Sequence, residues 1–419
     1  MMRTFDMVHS PAMDGPRPPG ACRGRGIRLW CPGCQGRTGV ARGGRRMAGG
    51  VCPLRPARRT LHPCGPGPSG VIPGASVLPD PPLWSPPMLP IPSGWFCIGA
   101  SETLPRHAVR PLRFAGQDRV LFRTASGEAV LMEAYCPHLG AHMGHGGTVE
   151  GETLRCPFHG FRFDGSGACT ATEYGQRPPR VRAGTVPLDE QDGLLFAWHG
   201  SRGEAPGWHL PPTGQGSWTA IRLHEIPLST HPQEIAENSV DVGHLRAVHG
   251  YESVQEREPL RTDGPNLEAR YRFRRRLEPT GRLGRLTVTI DIHQWGLGCA
   301  MVDTHVAPMG LRLRNYVLAM PEDASRTLLR IGLRVALPEV RGPVRGAADL
   351  AMRLVRDASF PGYVHDVMQD APIWNHKVFE PRPALARGDG PIAEYRRWTE
   401  QFYPDPAVVR GTAPSEAAE

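Results

Sequence analysis

The 419-residue chain lacks any apolar run long enough to cross a lipid bilayer. A membrane-spanning helix needs about 20 apolar residues, and the longest runs here, such as residues 194–198, are far shorter. With ten cysteines the chain also lacks the density of a disulfide scaffold. No Gly-rich dinucleotide or flavin fingerprint is present. These absences exclude a transmembrane protein and a small disulfide-stapled domain, and they predict a reducing, cytoplasmic location.

The positive charge of the chain is concentrated in its first fifth. The formal net charge is +8, yet residues 1–88 hold 12 arginines and three acidic residues. The remaining residues hold 37 basic and 38 acidic side chains and are therefore almost neutral. Since nucleic-acid binding needs a basic face on the folded part, the sequence predicts no nucleic-acid partner.

The two ends of the chain differ in texture from the body. Residues 1–88 contain 15 glycines and 16 prolines without a helical or strand period. Such a segment buries too little apolar surface to offset its ordering entropy, so we predict disorder there and in residues 406–419. Its Cys31 and Cys34 lack a second well-spaced pair. One interpretation is that translation starts at Met88.

Two domains are predicted between these ends, and together they give the chain an α+β fold class. Residues 89–206 contain short strands separated by Gly-rich turns, including a hairpin at Ser126-Gly127, and predict an all-β domain. For residues 207–405 the pattern predicts a helix, then an antiparallel sheet, then a second helix broken near Pro361. The first helix is predicted over 232–249, the strands over 268–277, 285–292, 300–306, 311–320 and 327–337, and the second helix over 347–373.

A cysteine–histidine motif lies in the all-β domain. Its spacing is C-x-H-x17-C-x2-H, and its members are Cys136, His138, Cys156 and His159. Two thiolates and two imidazoles can hold a tetrahedral zinc ion or a [2Fe–2S] cluster of the Rieske type. Each half repeats one Cys and one His on a tight loop, and the surroundings are all-β. Both features favour the cluster, with one ligand per loop on each iron.

A second motif, N-x2-D-x2-H-x4-H, comprises Asn238, Asp241, His244 and His249. By itself it is weak, because such residues are commonly solvated polar positions on a helix. The two histidines would also lie about 140° apart on an ideal helix. They can converge on one metal only if the helix widens or ends between them, and Gly250 is consistent with an end there.

Together the two motifs resemble the Rieske oxygenase alpha-subunit family over roughly residues 90–400. The framing sequence 233–244, the loop 136–141 and the Gln-Asp-x-x-Ile-Trp segment at 369–374 are most similar to the 3-ketosteroid 9α-hydroxylase and cholesterol 7-desaturase branch. Ala141 and Phe158 occupy places where respiratory Rieske proteins carry extra cysteines, which indicates the lower-potential class. The resemblance implies a Rieske domain followed by a helix-grip catalytic domain.

The resemblance also implies a mononuclear Fe(II) held by His244, His249 and a carboxylate from the C-terminal helix. Asp370 is the favoured carboxylate and Asp366 is its rival. Asp241 would hydrogen-bond a ligand histidine and reach the partner's His159 in a homotrimer, which makes it an electron bridge. Asn238 and Glu237 would support the iron site.

The implied reaction is hydroxylation or desaturation of an apolar, sterol-like substrate with O2. Electrons would pass from NAD(P)H through a separate reductase to the [2Fe–2S] cluster and on to the iron. A cavity under the sheet, with Trp295 or Met301 in its wall, would hold the substrate, although both residues suit a plain core equally. Three alternatives remain open: an aromatic-ring dioxygenase or demethylase of a smaller substrate, a Rieske electron carrier without catalytic iron, and a zinc protein associated with nucleic acid.

Overall fold

The computed structural model describes residues 88–411, with gaps at 213–216, 277–284, 339–341 and position 343. These residues belong to one compact unit, Pro79–Glu419. The predicted disordered tail and its Cys31–Cys34 pair lie outside the described residues, apart from Met88. No helix within the described part is long and apolar enough to cross a membrane.

Eleven short strands form three small antiparallel sheets in the N-terminal half of the described chain. The sheet orders are β1-β11-β10, β2-β3-β4-β9 and β5-β6-β7-β8. The predicted hairpin at Ser126-Gly127 is confirmed, because β3 pairs antiparallel with β4 across it. The strands are β1 Gly94–Ala100, β2 Val109–Phe114, β3 Gln117–Arg123, β4 Ala129–Glu133, β5 Thr148–Glu150, β6 Thr153–Arg155, β7 Arg162–Phe163, β8 Cys169–Ala171, β9 Thr185–Val186, β10 Leu188–Gln191 and β11 Leu194–His199.

Strand β1 is buried on both faces and belongs to two cores. Successive side chains of a strand point to opposite sides. Trp95 and Cys97 pack in a core with residues of the C-terminal half, whereas Phe96 and Ile98 pack in a core of the N-terminal half. This double burial explains why β1 reads as a continuous apolar run rather than an alternating one.

The C-terminal half is a seven-stranded antiparallel sheet with helices on one face. Its order is β12-β18-β17-β16-β15-β14-β13. Its elements are β12 Arg222–Leu228, α1 Pro232–Glu237, α2 Val242–Ala247, β13 Glu252–Asp263, β14 Asn266–Arg276, β15 Arg285–Trp295, β16 Cys299–Val306, β17 Leu311–Pro321, β18 Thr327–Val335, α3 Arg345–Trp374, α4 Ile392–Thr399 and α5 Ala407–Arg410.

Long helix α3 packs across one edge of this sheet. Its Val367, Ala371 and Trp374 share an apolar core with Leu329 of β18 and Ile226 of β12. The α3 face that carries these residues therefore points toward the sheet. This packing leaves room for a cavity between α3, the α1–α2 segment and the inward faces of β15–β17.

Two strands were missed by the sequence analysis, and both are edge strands. β12 contains Pro227, and β13 contains Pro259 with three shifts of register against β14. Proline cannot donate to a ladder and is confined to edges or bulges. β13 is also mostly exposed and rich in charge, so no clear period-2 pattern survives in it.

Three further boundary predictions were wrong. The single helix predicted over 232–249 is two short helices separated by residues 238–241. α3 continues through Pro361, because packing of buried Phe360 and Val367 offsets the roughly 3 kcal/mol that an internal proline costs. The disordered C-terminal tail was predicted to start at 406, but α5 forms there and buries Val409. Residues 412–419 lie outside the described part.

Candidate active site

Two loops of the same build carry the cysteine–histidine motif. The first follows β4 and the second follows β6. In the first, the Cys136 amide donates to the Ala141 carbonyl at 2.9 Å and the Gly140 amide donates to the Cys136 carbonyl at 2.9 Å. In the second, the Cys156 amide bonds Phe161 at 2.8 Å in the equivalent way. The repeated turn explains why each half of the motif presents one thiol and one imidazole.

The side chains of the motif meet in two pairs. The rings of His138 and His159 lie 4.9 Å apart between centroids. The Cys136 and Cys156 thiols are buried and lie next to each other. Burial, with a smaller contribution from the adjacent Cys156 thiol, raises the pKa of the Cys136 thiol to about 11. Binding of iron would therefore have to displace this proton.

This donor set fits a [2Fe–2S] cluster. Two neighbouring thiols and two neighbouring imidazoles are the ligands that a Rieske cluster takes. In addition, Nδ1 of His159 is buried without a hydrogen-bond partner among the described residues. A buried polar atom left without a partner is costly, and a metal bond would satisfy it. The outer side of the loops is apolar and exposed at Leu139 and Phe158.

The second motif begins in the segment between α1 and α2. Asp241 caps α2, since its Oδ1 accepts a hydrogen bond from the His244 backbone amide at 2.9 Å. The helix ends at Ala247, and Gly250 takes a left-handed φ of 64° just beyond it. His249 thus leaves the helical path and its ring comes within 5.1 Å of the His244 ring. The helix thus ends between the two histidines, as their convergence on one metal requires.

Asp370 of α3 completes this group. Its Oδ2 lies 3.4 Å from Nε2 of His249, and one ligand atom from each of His244, His249 and Asp370 lies within 4.8 Å of the others. Asp370 is only 5% exposed. Two imidazoles and one carboxylate with open space beside them form the donor set of a facial triad for non-haem Fe(II).

Hydrogen bonds at the far ring nitrogens orient both histidines. Nδ1 of His244 donates to the Asp241 carbonyl at 2.5 Å, and Nδ1 of His249 donates to Oε1 of Gln369 at 2.9 Å. Each Nε2 is thereby left for a metal. Burial lowers the pKa of His249, but its bonds to Asp370 and Gln369 outweigh burial and the net pKa is raised. For His244 burial prevails and the pKa is lowered.

Within one chain, the Asp241 carboxylate does not make the expected hydrogen bond to the ring of a ligand histidine. Its Oδ1 lies 4.0 Å from Nδ1 of His244, which is too long for a hydrogen bond. The backbone carbonyl of the same residue makes that bond instead. The carboxylate serves as the cap of α2 and remains 30% exposed.

The rival carboxylate, Asp366, is engaged elsewhere. Its Oδ2 accepts from Arg275 at 2.6 Å and from the Tyr251 hydroxyl at 3.3 Å. Arg275 also donates to Tyr251 at 2.9 Å. Asp366 therefore forms a half-buried network beside the histidines and does not join them.

Of the two supporting residues expected from the sequence, one lies near the group and one does not. Asn238 ends α1 and lines the cavity. Glu237 instead pairs with Arg396 at 2.8 Å and with Lys377, the chain's only lysine, at 3.9 Å. Gln369 and Arg275 were missed. The position of Gln369 next to Asp370 was an available signal, whereas no sequence pattern points to Arg275.

A cavity of about 460 Å³ opens beside the three ligands. This is the usual size of a small-molecule site. The expectation that Trp295 or Met301 lines it was wrong, because both pack in the core shared with β1. Its wall is mostly apolar, and a large part of it comes from alternate residues of the sheet, namely Val288, Ile290, Ile292, Ala300, Val302, Val306, Leu311, Leu313, Val317, Ala319 and Leu333.

Comparison with known proteins agrees with this architecture. Residues 94–183 match the Rieske [2Fe-2S] domain, and residues 197–403 match the 3-ketosteroid 9alpha-hydroxylase C-terminal domain. The chain is 30% identical over 345 residues to a cholesterol 7-desaturase of Ciona intestinalis, covering 74% of this chain and 68% of the relative. The chain belongs to the Rieske oxygenase family. It is an iron-dependent oxidoreductase with a [2Fe–2S] cluster and a mononuclear iron.

Other Rieske oxygenases extend the comparison. The 3-ketosteroid-9-alpha-monooxygenase oxygenase component of Mycolicibacterium smegmatis is 27% identical over 346 residues, covering 75% of this chain and 83% of the relative. Dicamba monooxygenase bound to 3,6-dichlorosalicylic acid superimposes with a TM-score of 0.55 at 16% identity, covering 74% of this chain and 96% of that one. The latter likeness is one of fold.

Proposed function

We propose that this Rieske oxygenase hydroxylates or desaturates a sterol-like substrate. The observation that carries the proposal is the apolar cavity of about 460 Å³ that adjoins the two-histidine, one-carboxylate group. A cavity with such walls selects a bulky apolar molecule, because each buried apolar group favours transfer from water. The relatives named for sterol and steroid reactions support the same class of substrate.

Each metal group has a proposed set of ligands. Cys136, His138, Cys156 and His159 hold the [2Fe–2S] cluster, and His244, His249 and Asp370 hold Fe(II). When bound, the cluster supplies electrons and the iron activates oxygen. The protein's own part is to keep both Nε2 atoms aimed at one point, through the Asp241 carbonyl and Gln369, and to keep water out with apolar walls.

Electrons are proposed to come from NAD(P)H through a separate reductase, because this chain carries no dinucleotide fingerprint. We propose a homotrimer in which the Asp241 carboxylate meets His159 of the partner subunit. Two features support this arrangement. The carboxylate is 30% exposed and makes no hydrogen bond to the His244 ring, and the cluster loops expose apolar side chains such as Phe158, which is 61% exposed.

The domain division is proposed to fall near residue 206, between the all-β cluster domain of 89–206 and the catalytic domain of 207–405. We also propose a cytoplasmic location. None of the five cysteines in the described residues forms a disulfide, which suits a reducing compartment.

Electron paramagnetic resonance tests the metal assignments. Anaerobically reduced protein should show a rhombic Rieske signal, and nitric oxide should add a high-spin iron–nitrosyl signal. His249→Ala should remove only the second signal, and His159→Ala should remove only the first. His376→Ala is the matched control, because His376 is exposed and its ring bonds only the Pro372 carbonyl among the described residues. A Rieske signal without a nitrosyl signal in iron-loaded wild type would favour the electron-carrier alternative.

Substrate class is tested by product formation with a reductase and NADH. Cholesterol and a 3-ketosteroid should yield hydroxylated or desaturated products, whereas a small methoxylated benzoate should yield none. Formaldehyde release from the benzoate with no steroid product would replace this proposal by the demethylase alternative.

A further inference from the structure

The cavity wall formed by β16 and β17 has one polar interruption. Ten residues of these two strands line the cavity. Thr304 and Asn315 are the two that carry a hydroxyl or an amide, and the others are aliphatic apart from Cys299. Inward orientation follows from alternation, since Leu313 and Val317 on either side of Asn315 also line the cavity.

The two polar residues hold each other in place. The Thr304 hydroxyl donates to Oδ1 of Asn315 at 3.0 Å across the β16–β17 ladder. The Asn315 amide nitrogen has no protein partner within the described part of the chain. An amide offers two N–H donors, so the pair presents fixed, unused donors to the cavity. Asn315 is half-buried. A substrate that displaces water from the cavity would have to offer this donor an oxygen, because an unpaired buried donor is costly.

Several other polar groups of the wall are already committed. Tyr251, Arg275 and Asp366 bond one another. Gln294 donates its amide to the Gly296 carbonyl at 3.0 Å. His244, His249 and Asp370 face the proposed iron position. Asn238, Ser239 and Ser359 also line the cavity, but they lie outside the sheet. The Thr304–Asn315 pair is distinguished by its place in an aliphatic stretch of the sheet.

This pair lies well away from the iron ligands. Ala319 shares a core with Ala371 and Trp374, which follow Asp370 within the last turn of α3. Asn315 is four residues from Ala319 along β17, or about 13 Å at 3.3 Å per residue. That separation suits a rigid skeleton of several fused rings, with one end near the iron and an oxygen substituent near Asn315.

We infer that Asn315, held by Thr304, is a specificity-determining residue that donates a hydrogen bond to a ketone or hydroxyl oxygen at the substrate end remote from the reacting carbon. The inference rests on the proposed function, because it refines the substrate class of the same cavity. The hydrogen bond from Asn315 favours a polycyclic substrate that carries an oxygen over the corresponding hydrocarbon.

Equilibrium binding without turnover tests the inference. Fe(II)-loaded protein, kept anaerobic and unreduced, is dialysed against tritiated cholest-4-en-3-one or cholest-4-ene carried by a cyclodextrin. Wild type should bind the ketone about tenfold more tightly than the hydrocarbon, as one hydrogen bond at such a site implies. Asn315→Leu should remove most of that preference and leave hydrocarbon affinity within about twofold.

Further variants separate the amide from cavity shape. Thr304→Val should give a smaller, ketone-selective loss of about threefold, since it frees the amide to turn, and Thr304→Ser should restore wild-type affinity. Leu313→Met, which exchanges an apolar neighbour of Thr304, should change both affinities alike.

The outcomes distinguish the two levels of the argument. Wild-type binding of the ketone with unchanged affinity in Asn315→Leu would overturn the anchor and leave the sterol proposal standing. Equal losses for ketone and hydrocarbon in both Asn315→Leu and Thr304→Val would also overturn the anchor, in favour of a role in cavity shape. Binding of neither steroid by wild type would overturn the sterol proposal itself.

Discussion

Exchanging Asp366 and Asp370 of α3 for asparagine, one at a time, separates a structural ion pair from an iron ligand. Asp366 lies 2.6 Å from Arg275, and the two side chains are 18% and 22% exposed. Breaking a buried pair by removing one charge costs about 3 to 5 kcal/mol. Because this pair keeps some solvent contact, the lower value applies. Asp366→Asn should therefore lower the free energy of unfolding by about 3 kcal/mol and Tm by about 4 °C.

Asp370→Asn should behave in the opposite way. Its carboxylate is buried and faces His249 without an arginine or lysine beside it among the described residues. Its removal relieves the desolvation of a buried charge, so the iron-free protein should be as stable as wild type or more so. Iron affinity should fall by more than about 100-fold, because even residues that merely orient ligands contribute about 10- to 100-fold.

Calorimetry of iron-free protein and metal analysis after dialysis against Fe(II) measure the two quantities. Asp349→Asn is the control on the same helix, since among the described residues Asp349 makes only a 3.9 Å pair with the exposed Arg345. Such a pair contributes about 0 to 1 kcal/mol, and neither quantity should change much. Loss of iron in Asp366→Asn with iron retained in Asp370→Asn would refute the assignment of the third ligand.

Two other substitutions test the surroundings of the metal groups. Gly147→Ala would place a Cβ 2.1 Å from the Met143 carbonyl oxygen, so the first cluster loop should distort and the visible absorbance of the cluster should fall. Gly207→Ala is the control, because Gly207 has open space around it and absorbance should not change. Equal absorbance in both variants would contradict the steric argument. Burial lowers the pKa of His231 to about 4, whereas the free imidazole has a pKa of about 6.5. The folded state is therefore favoured above about pH 6.5, and this stability is lost as pH falls toward 4. Urea unfolding should show a loss of about 2 kcal/mol in the free energy of unfolding between pH 7 and pH 5. His231→Asn, which keeps a side-chain acceptor for the α1 cap, should reduce that pH dependence, and an unchanged slope would show that other groups cause it.

Both metal motifs were readable from the sequence because their residues are local. The cluster residues lie in two short turns, where a fixed number of residues sets which side chains meet. His244 and His249 are five residues apart, and their convergence needed only a helix end, which Gly250 indicated. The strands with clear alternation, such as β15, were also predictable, since one face of each is buried.

The prediction of the cavity wall was wrong because the sequence does not show which face of each strand points into the cavity. A period-2 pattern shows that neighbouring residues face opposite ways, but not which face meets the substrate. Trp295 and Met301 pack on the side of β1, and their neighbours Gln294, Ala300 and Val302 line the cavity. Edge strands β12 and β13 were missed for a related reason, because an exposed edge imposes little pattern on its sequence.

By itself the sequence determined that the first motif could hold a [2Fe–2S] cluster or a zinc ion, because ligand type and short-range spacing limit the metal groups that a local motif can bind. The second motif was weak by itself, and the resemblance to a known family indicated its mononuclear iron. Only the tertiary structure decided which of two aspartates one turn apart on α3 faces the histidines. It also decided that Gln369 orients His249, that Arg275 occupies Asp366, and that Thr304 and Asn315 share one wall. These pairings join residues of separate elements, and their geometry depends on how α3 and the strands pack, a long-range outcome that no local spacing encodes.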